Sequence, residues 1–154
     1  MIVVSDTSPL NYLVLIEEVE VLPAIFSRVV VPPAVIEELQ APGAPAAVKA
    51  WIAVPPSWLE VRSPESTGSS LALGRGERDA ICLASELSAL CLIDDRKARR
   101  EAERMGVRVT GLLGLLAEAS DRGLIDAEVV VERLTRTSFR ASPALIAAIL
   151  RPER

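Results

Sequence analysis

Three short apolar runs set the terms for this chain: Ile2-Val-Val4, Val29-Val-Val31 and Ala89-Leu-Cys-Leu-Ile93. A strand with one wet face alternates apolar and polar residues, whereas an unbroken β-branched run has to be covered on both sides. All three runs are too short for helices, and longer helix-like stretches stand between them. That alternation predicts an α/β fold, a three-layer α/β/α arrangement around a central parallel sheet of four to five strands. At 154 residues the chain fits one domain, 1–154, with a substantial core. Only 3% of residues are aromatic, so the core must be built from Val, Ile, Leu and Ala.

The spacing predicts strands at 1–5, 28–32, 58–62, 89–93 and 107–109. A helix is expected from Pro9 with Ser8 as its N-cap, followed by helices at 18–26, 33–40, 42–50, 75–88 and 96–105. Gly106 suits the position just past the helix 96–105. Gly123 separates helices at 111–122 and 126–136, and Pro143 to Leu150 reads as an apolar helix with little polar face. The C-terminal helices, about 111–150, are expected to complete the core or to form a dimer or partner interface. Ser63 to Ser70 reads as a flexible loop.

The chain has no histidine, which removes Ser-His-Asp and Cys-His catalysis, histidine zinc sites and histidine-based ribonuclease chemistry together. Cys82 and Cys91 lie in apolar stretches without metal-ligand spacing and are expected to be buried free thiols. No apolar run is long enough to span a bilayer and the start lacks the features of a signal peptide, so a cytoplasmic location is expected. A net charge of −4 argues against non-specific coating of nucleic acid but leaves room for a local basic patch.

Carboxylates stand where a parallel sheet places functional groups, just past the carboxyl ends of strands. Asp6 follows the first strand, and Asp94 and Asp95 follow the strand at 89–93. On the helix 33–40, Glu38 lies ~110° from the centre of the apolar face and Glu37 ~150°, so Glu38 reaches inward and Glu37 is expected in solvent. Glu77 falls within ~40° of the centre of the buried face of the helix 75–88, with Asp79 near its border. Each acid alone has an ordinary explanation: Asp6 and Asp95 as N-caps, Glu77 and Asp79 as residues that favour a helix N-terminus. A hard divalent cation with oxygen ligands accounts for all of them together. Mg²⁺ or Mn²⁺, as one or two ions, would activate water and stabilise phosphoryl-transfer charge without a protein nucleophile.

Four segments carry a resemblance: Val-Val-Ser-Asp-Thr-Ser-Pro-Leu at 3–10, Val-Val-Val-Pro-Pro-Ala-Val-Ile-Glu-Glu-Leu at 29–39, Gly-Glu-Arg-Asp-Ala-Ile at 76–81 and Leu-Ile-Asp-Asp-Arg-Lys-Ala-Arg at 92–99. Together they resemble the PIN-domain nucleases, in particular the compact branch of VapC-like toxins, from Met1 to about Leu124. The resemblance implies a PIN-like fold and a Mg²⁺- or Mn²⁺-dependent endoribonuclease. It also implies a toxin silenced by an antitoxin protein, and a homodimer. Its acids fall on Asp6, Glu38, Glu77 and Asp95 as catalytic residues, with Asp79 and Asp94 as further metal ligands. The third position departs from the family, which usually has Asp where Glu77 stands, and Asp79 is a partner or substitute for it. The family's hydroxyl residue before the fourth acid is replaced by Ile93.

Arg96, Lys97 and Arg100, with Arg99, Arg104 and Arg108, make the region after Asp95 basic, as RNA-phosphate contacts or as a solvated helix face. Trp51 and Trp58 flank a Pro-Pro turn and read as packing residues, with base stacking the alternative. A catalytically weakened PIN-like module that binds RNA or protein is the competing function. A phosphatase or phospho-acceptor domain ranks last, since Asp6-Thr7-Ser8 has no second Asp, and a phosphate-binding Gly-rich loop ending in Lys is absent.

Overall fold

The computed structural model describes residues 1–66, 72–140 and 142–150. Five strands, β1 (Ile2–Ser5), β2 (Arg28–Val31), β3 (Leu59–Val61), β4 (Leu90–Leu92) and β5 (Val109–Thr110), form one sheet in the order β3-β2-β1-β4-β5. Every pairing is parallel, with Val3 opposite Val29 and Val4 opposite Cys91. The helices are α1 (Thr7–Leu15), α2 (Val21–Ile25), α3 (Pro33–Leu39), α4 (Ala46–Ala53), α5 (Arg75–Leu87), α6 (Arg96–Arg104), α7 (Leu112–Asp121), α8 (Ala127–Thr135) and α9 (Pro143–Leu150).

The unbroken apolar runs have the physical consequence expected of them. Along β1 and β2 successive side chains enter opposite cores: Val3, Val29 and Val31 one, Val4 and Val30 the other. The first core is closed by α1–α4 and α7–α9, the second by α5 and α6. This is the three-layer α/β/α arrangement. Helix α9 packs on α7 and α8 and buries Ile149 in the same core as Val3 and Leu92. Both cysteines are buried and unpaired. Trp51 and Trp58 pack on the first core with ring centroids 6.1 Å apart, and the Trp58 indole donates to Glu20 at 3.3 Å. Among the described residues no helix is long and apolar enough to cross a membrane.

Several boundaries differ from expectation. Helix α1 begins at Thr7 rather than Pro9, so Asp6 and not Ser8 occupies the N-cap position. Pro9 is tolerated there because first-turn amides lack an intrahelical acceptor in any case. Helix α4 is displaced to 46–53 because Pro45 sets its start. Strand β5 starts at Val109, since the amide of Val107 is still bonded to the Ala102 carbonyl at 2.9 Å as part of the end of α6. Part of the expected loop 63–70 lies outside the described residues.

The same C-terminal device closes α1, α5, α6 and α7. A left-handed residue (Glu17, Ser88, Gly106 or Gly123) is followed by an amide that returns to a carbonyl five residues back, at 2.9 Å each time. Glycine fills two of these positions; at Ser88, with φ 52°, a Cβ is held in the left-handed region. This turn fixes how α5, the carrier of Glu77, leads into β4. Ser88→Gly is expected to raise stability by about 0.5–1 kcal/mol, read as a higher urea midpoint at unchanged slope.

Candidate active site

Sheet order positions the site. The chain winds outward from β1 to β2 and β3, then crosses back to β4 on the other flank of β1. The carboxyl ends of β1 and β4 therefore lie side by side at the reversal of winding, where open α/β sheets form their crevice. The Asp6 amide extends the ladder by donating to the Leu92 carbonyl at 2.9 Å, which locks the residue after β1 against the end of β4.

Asp6 is only 4% exposed, and its Oδ1 is buried without a hydrogen-bond partner among the described residues. It sits at the N-cap of α1 yet makes no side-chain capping bond. The third helical residue, whose amide an N-cap side chain commonly accepts from, is Pro9 and has no N–H. Capping therefore does not explain this acid.

Glu38 comes from α3, which packs on α1 and α5. The Thr7 hydroxyl donates to its Oε1, and the Gly76 amide donates to its Oε2 at 3.2 Å. A Cβ on Gly76 would fall 2.7 Å from both Glu38 oxygens, so the missing side chain makes room for that carboxylate. Its neighbour Glu37 turns to solvent and pairs with Arg75 at 2.7 Å, the split expected from the helix geometry.

Glu77 sits half-buried in the first turn of α5. Asp79, two residues on, pairs with Arg78 at 3.4 Å and lines a separate depression with Ser63, Ser66 and Arg75. Of the two candidates for the third acid, the structure brings Glu77 to the cluster and leaves Asp79 outside it.

The two acids after β4 divide. Asp94 turns inward: its Oδ1 accepts from the Leu112 amide at 2.9 Å, and its Oδ2 is buried without a partner among the described residues. Gly111 leaves space for it, since a Cβ there would lie 2.6 Å from that Oδ1. Asp95 is exposed and caps α6, accepting from the Ala98 amide at 2.9 Å. Arg96, Lys97 and Arg100 are exposed on α6, whereas Arg104 pairs with Glu101 at 3.1 Å.

Asp6, Glu38 and Glu77 face a cleft of about 330 Å³, flanked on the α1 side by Ser8, Asn11 and Tyr12. Burial first, and repulsion from neighbouring acids after it, shows in the ionisation of Asp6 and Glu77. Burial pushes Asp6 from 3.8 up to about 7; the Thr7 amide opposes this, and Glu77, Glu38 and Asp94 add to it. Burial, then the charges of Asp95 and Glu38, raise Glu77, against the Gly74 amide and Lys97. Asp94 is raised by burial, opposed by the Leu112 amide and Arg99. Among the described residues no three acidic, cysteine or histidine side chains already converge as a finished coordination shell. The donor set nonetheless fits a hard cation: all oxygen, excess negative charge, and buried carboxylate oxygens on Asp6 and Asp94 that lack a protein partner among the described residues.

Sequence reasoning missed Gly76 and Gly111 as site residues, and it took Thr7, with Ser8, only as a hydroxyl neighbour of Asp6 for a metal's water shell, whereas Thr7 bonds Glu38. A glycine one residue before an acid in the first turn of a helix was the available signal for Gly76, because alanine serves that position better unless something needs the space.

Because its folded pKa lies above its ordinary value, Asp6 takes up a proton on folding between about pH 4 and 7. Its contribution to stability is present below about pH 4 and is lost as pH rises through about 7, a loss on the order of 4 kcal/mol. In chelator, the stability advantage of Asp6→Asn over the unaltered protein should thus grow from near zero at about pH 4 to a few kcal/mol at about pH 8. Urea unfolding at a series of pH values checks this; a pH-independent difference would contradict the burial of the charge.

With this geometry in place, comparison with known proteins is informative. Among solved structures, the fold is similar to a PilT N-terminus domain protein from the hyperthermophilic archaeon Sulfolobus solfataricus P2. The TM-score is 0.54 at 16% identity, over 92% of this chain and 100% of that one, a likeness of fold alone. No curated protein matches the chain. A family model described as a PIN domain matches residues 2–153. The cleft at the switch point between β1 and β4 is thus set in a chain that belongs to the PIN-domain family.

Proposed function

We propose that this protein is a Mg²⁺- or Mn²⁺-dependent endoribonuclease that hydrolyses phosphodiesters with water activated at the carboxylate cluster. PIN domains are typically nucleases, generally use divalent metals and commonly bind RNA. One observation carries the reading for this chain: burial pushes the ionisation of Asp6 up to about 7, with the charges of Glu77, Glu38 and Asp94 adding to it, while one of its oxygens has no protein partner among the described residues. Such an arrangement destabilises the fold on its own and becomes favourable when a cation binds.

Asp6, Glu38, Glu77 and Asp94 would hold the ion, with Asp95 at the outer margin beside Glu77. When bound, the ion supplies a water of lowered pKa and neutralises charge on the phosphoryl oxygens. The Thr7 hydroxyl and Gly76 amide hold Glu38 in place; each carboxylate oxygen keeps a second lone pair for a ligand. Asp94 is anchored by the Leu112 amide, which leaves its other oxygen free to face the centre. Arg96, Lys97 and Arg100 on α6 offer cations for the phosphates flanking the cut and offset repulsion between the acids and the RNA backbone. From the VapC-like resemblance come the remaining parts of the proposal, a toxin, an antitoxin that silences it and a homodimer; a cytoplasmic location is carried over from the expectation set by the sequence.

A second reading, a PIN-like module that binds RNA or protein without turnover, is favoured by the absence of a finished coordination shell among the described residues and by the capping role of Asp95. Incubating the purified protein with structured RNA and Mn²⁺, with and without chelator, separates the two. Cleavage abolished by chelator and by Asp6→Asn supports the nuclease; metal-independent binding with no cleavage across several RNAs supports the module.

Within the nuclease reading, Glu77→Gln is expected to lower kcat by on the order of 100-fold or more, while Asp79→Asn stays within about threefold. Equal losses at the two positions would overturn the assignment of the third acid. Gly76→Ala should keep the protein folded, since alanine favours the helix, yet reduce cleavage about 10-fold or more by displacing Glu38; thermal melting and cleavage rate measured together check it.

A further inference from the structure

One side of the cleft is made of uncharged residues. Ser8, Asn11 and Tyr12 stand on the same face of α1 at helical spacing and border the space that Asp6, Glu38 and Glu77 face from the other side. Tyr12 is the only tyrosine of the chain. Its hydroxyl is hydrogen-bonded to the Ser138 hydroxyl at 2.8 Å, and the Phe139 ring meets it edge-on with centroids 5.1 Å apart and planes at 75°. Both partners come from the segment between α8 and α9. Held at its tip and along one side, the half-buried ring has little freedom to turn while it still borders the cleft.

To a phosphate backbone this wall offers hydroxyl and amide donors but no cation, and it lies beside a cluster of carboxylates. A base does gain, because a fixed aromatic surface stacks on any base, and the Asn11 amide can both donate to and accept from a base edge. Bases inside a duplex are already stacked on their neighbours, so only an unpaired nucleotide can reach the ring. Resting on the nuclease reading above, we propose that Tyr12 is a base-stacking residue and that Asn11 reads the edge of the stacked base, so that one unpaired nucleotide is held beside the carboxylates.

The test uses the full chain carrying Asp6→Asn, in chelator, so that binding is measured without cleavage. Fluorescence anisotropy is recorded with labelled single-stranded RNA and with a duplex of the same sequence. The single strand is expected to bind about 10-fold tighter. Tyr12→Leu, which keeps apolar packing, should weaken single-strand binding about 10-fold, and Tyr12→Phe, which keeps the ring, should restore it to within about threefold. Abasic nucleotides placed in turn along the strand should reveal one position whose loss costs the Tyr12 protein about 10-fold and the Tyr12→Leu protein nothing. A merely structural tyrosine would not produce that coupling, and melting curves confirm that each variant is folded.

Three results overturn the proposal: equal affinity of Tyr12→Leu and its parent, equal weakness of Tyr12→Phe and Tyr12→Leu, or duplex bound as tightly as single strand. Cleavage by the unaltered protein with Mn²⁺ is scored separately. Cleavage without any dependence on Tyr12 removes this proposal and leaves the nuclease; Tyr12-dependent binding without cleavage removes the nuclease and leaves the stacking role.

Discussion

The parallel pairing of β1 with β4 is the constraint on which the other features depend. β1 lies at the centre of the sheet, between β2 and β4, with Val3 and Val4 buried in opposite cores. A central strand this short can be held only if both faces are covered and both edges are paired, and both conditions are met here. Because β4 enters beside β1 only after the chain has wound outward through β2 and β3, two strand ends distant in sequence become neighbours. The Asp6 amide bonded to the Leu92 carbonyl is the last rung of that pairing, and the acids begin where it stops. Apolar burial over the length of the strands thus sets the spacing of charges at their ends.

Much of this was legible because it rests on local pattern. The runs Val29-Val-Val31 and Ala89 to Ile93 identify doubly covered strands without reference to anything distant, and Gly106 and Gly123 mark helix ends by their backbone freedom alone. Helix geometry separated Glu38 from Glu37 by direction: both are exposed, yet Glu38 turns to Thr7 and Gly76 at the cleft and Glu37 to Arg75.

What was not legible depends on contacts between segments far apart. Asp94 and Asp95 are adjacent, and although the local sequence offers Asp95 as the cap of α6, nothing in it says that Asp94 accepts from the N-terminus of α7. The choice between Glu77 and Asp79 turns on which neighbours α5 meets: Glu38 and Asp95 on one side, Ser63 and Ser66 on the other. The link from Tyr12 to Ser138 spans most of the chain and leaves no trace in either segment. One local clue was readable and easily passed over: Pro9 deprives Asp6 of a usual capping donor, so the acid that most resembles a cap is least able to act as one.

Helix N-termini explain how the fold tolerates so many acids at one edge. In a parallel sheet the helices that follow strands start at the same edge as the strands end, and their first amides point toward it. Here the first turns of α5, α6 and α7 supply the Gly76, Ala98 and Leu112 amides to Glu38, Asp95 and Asp94 respectively. Each bond steadies a carboxylate and satisfies only one of its oxygens, which holds the group in place without neutralising it. Asp6 stands apart: the third residue of its helix is a proline where a capping amide would be, and its burial is the deepest of the set. The site is therefore graded, from Asp95 held at the surface to Asp6 left under-satisfied at the centre. That gradient leaves the electrostatic deficit deepest at Asp6, with a second unpartnered oxygen on Asp94 among the described residues, where a cation would relieve it most.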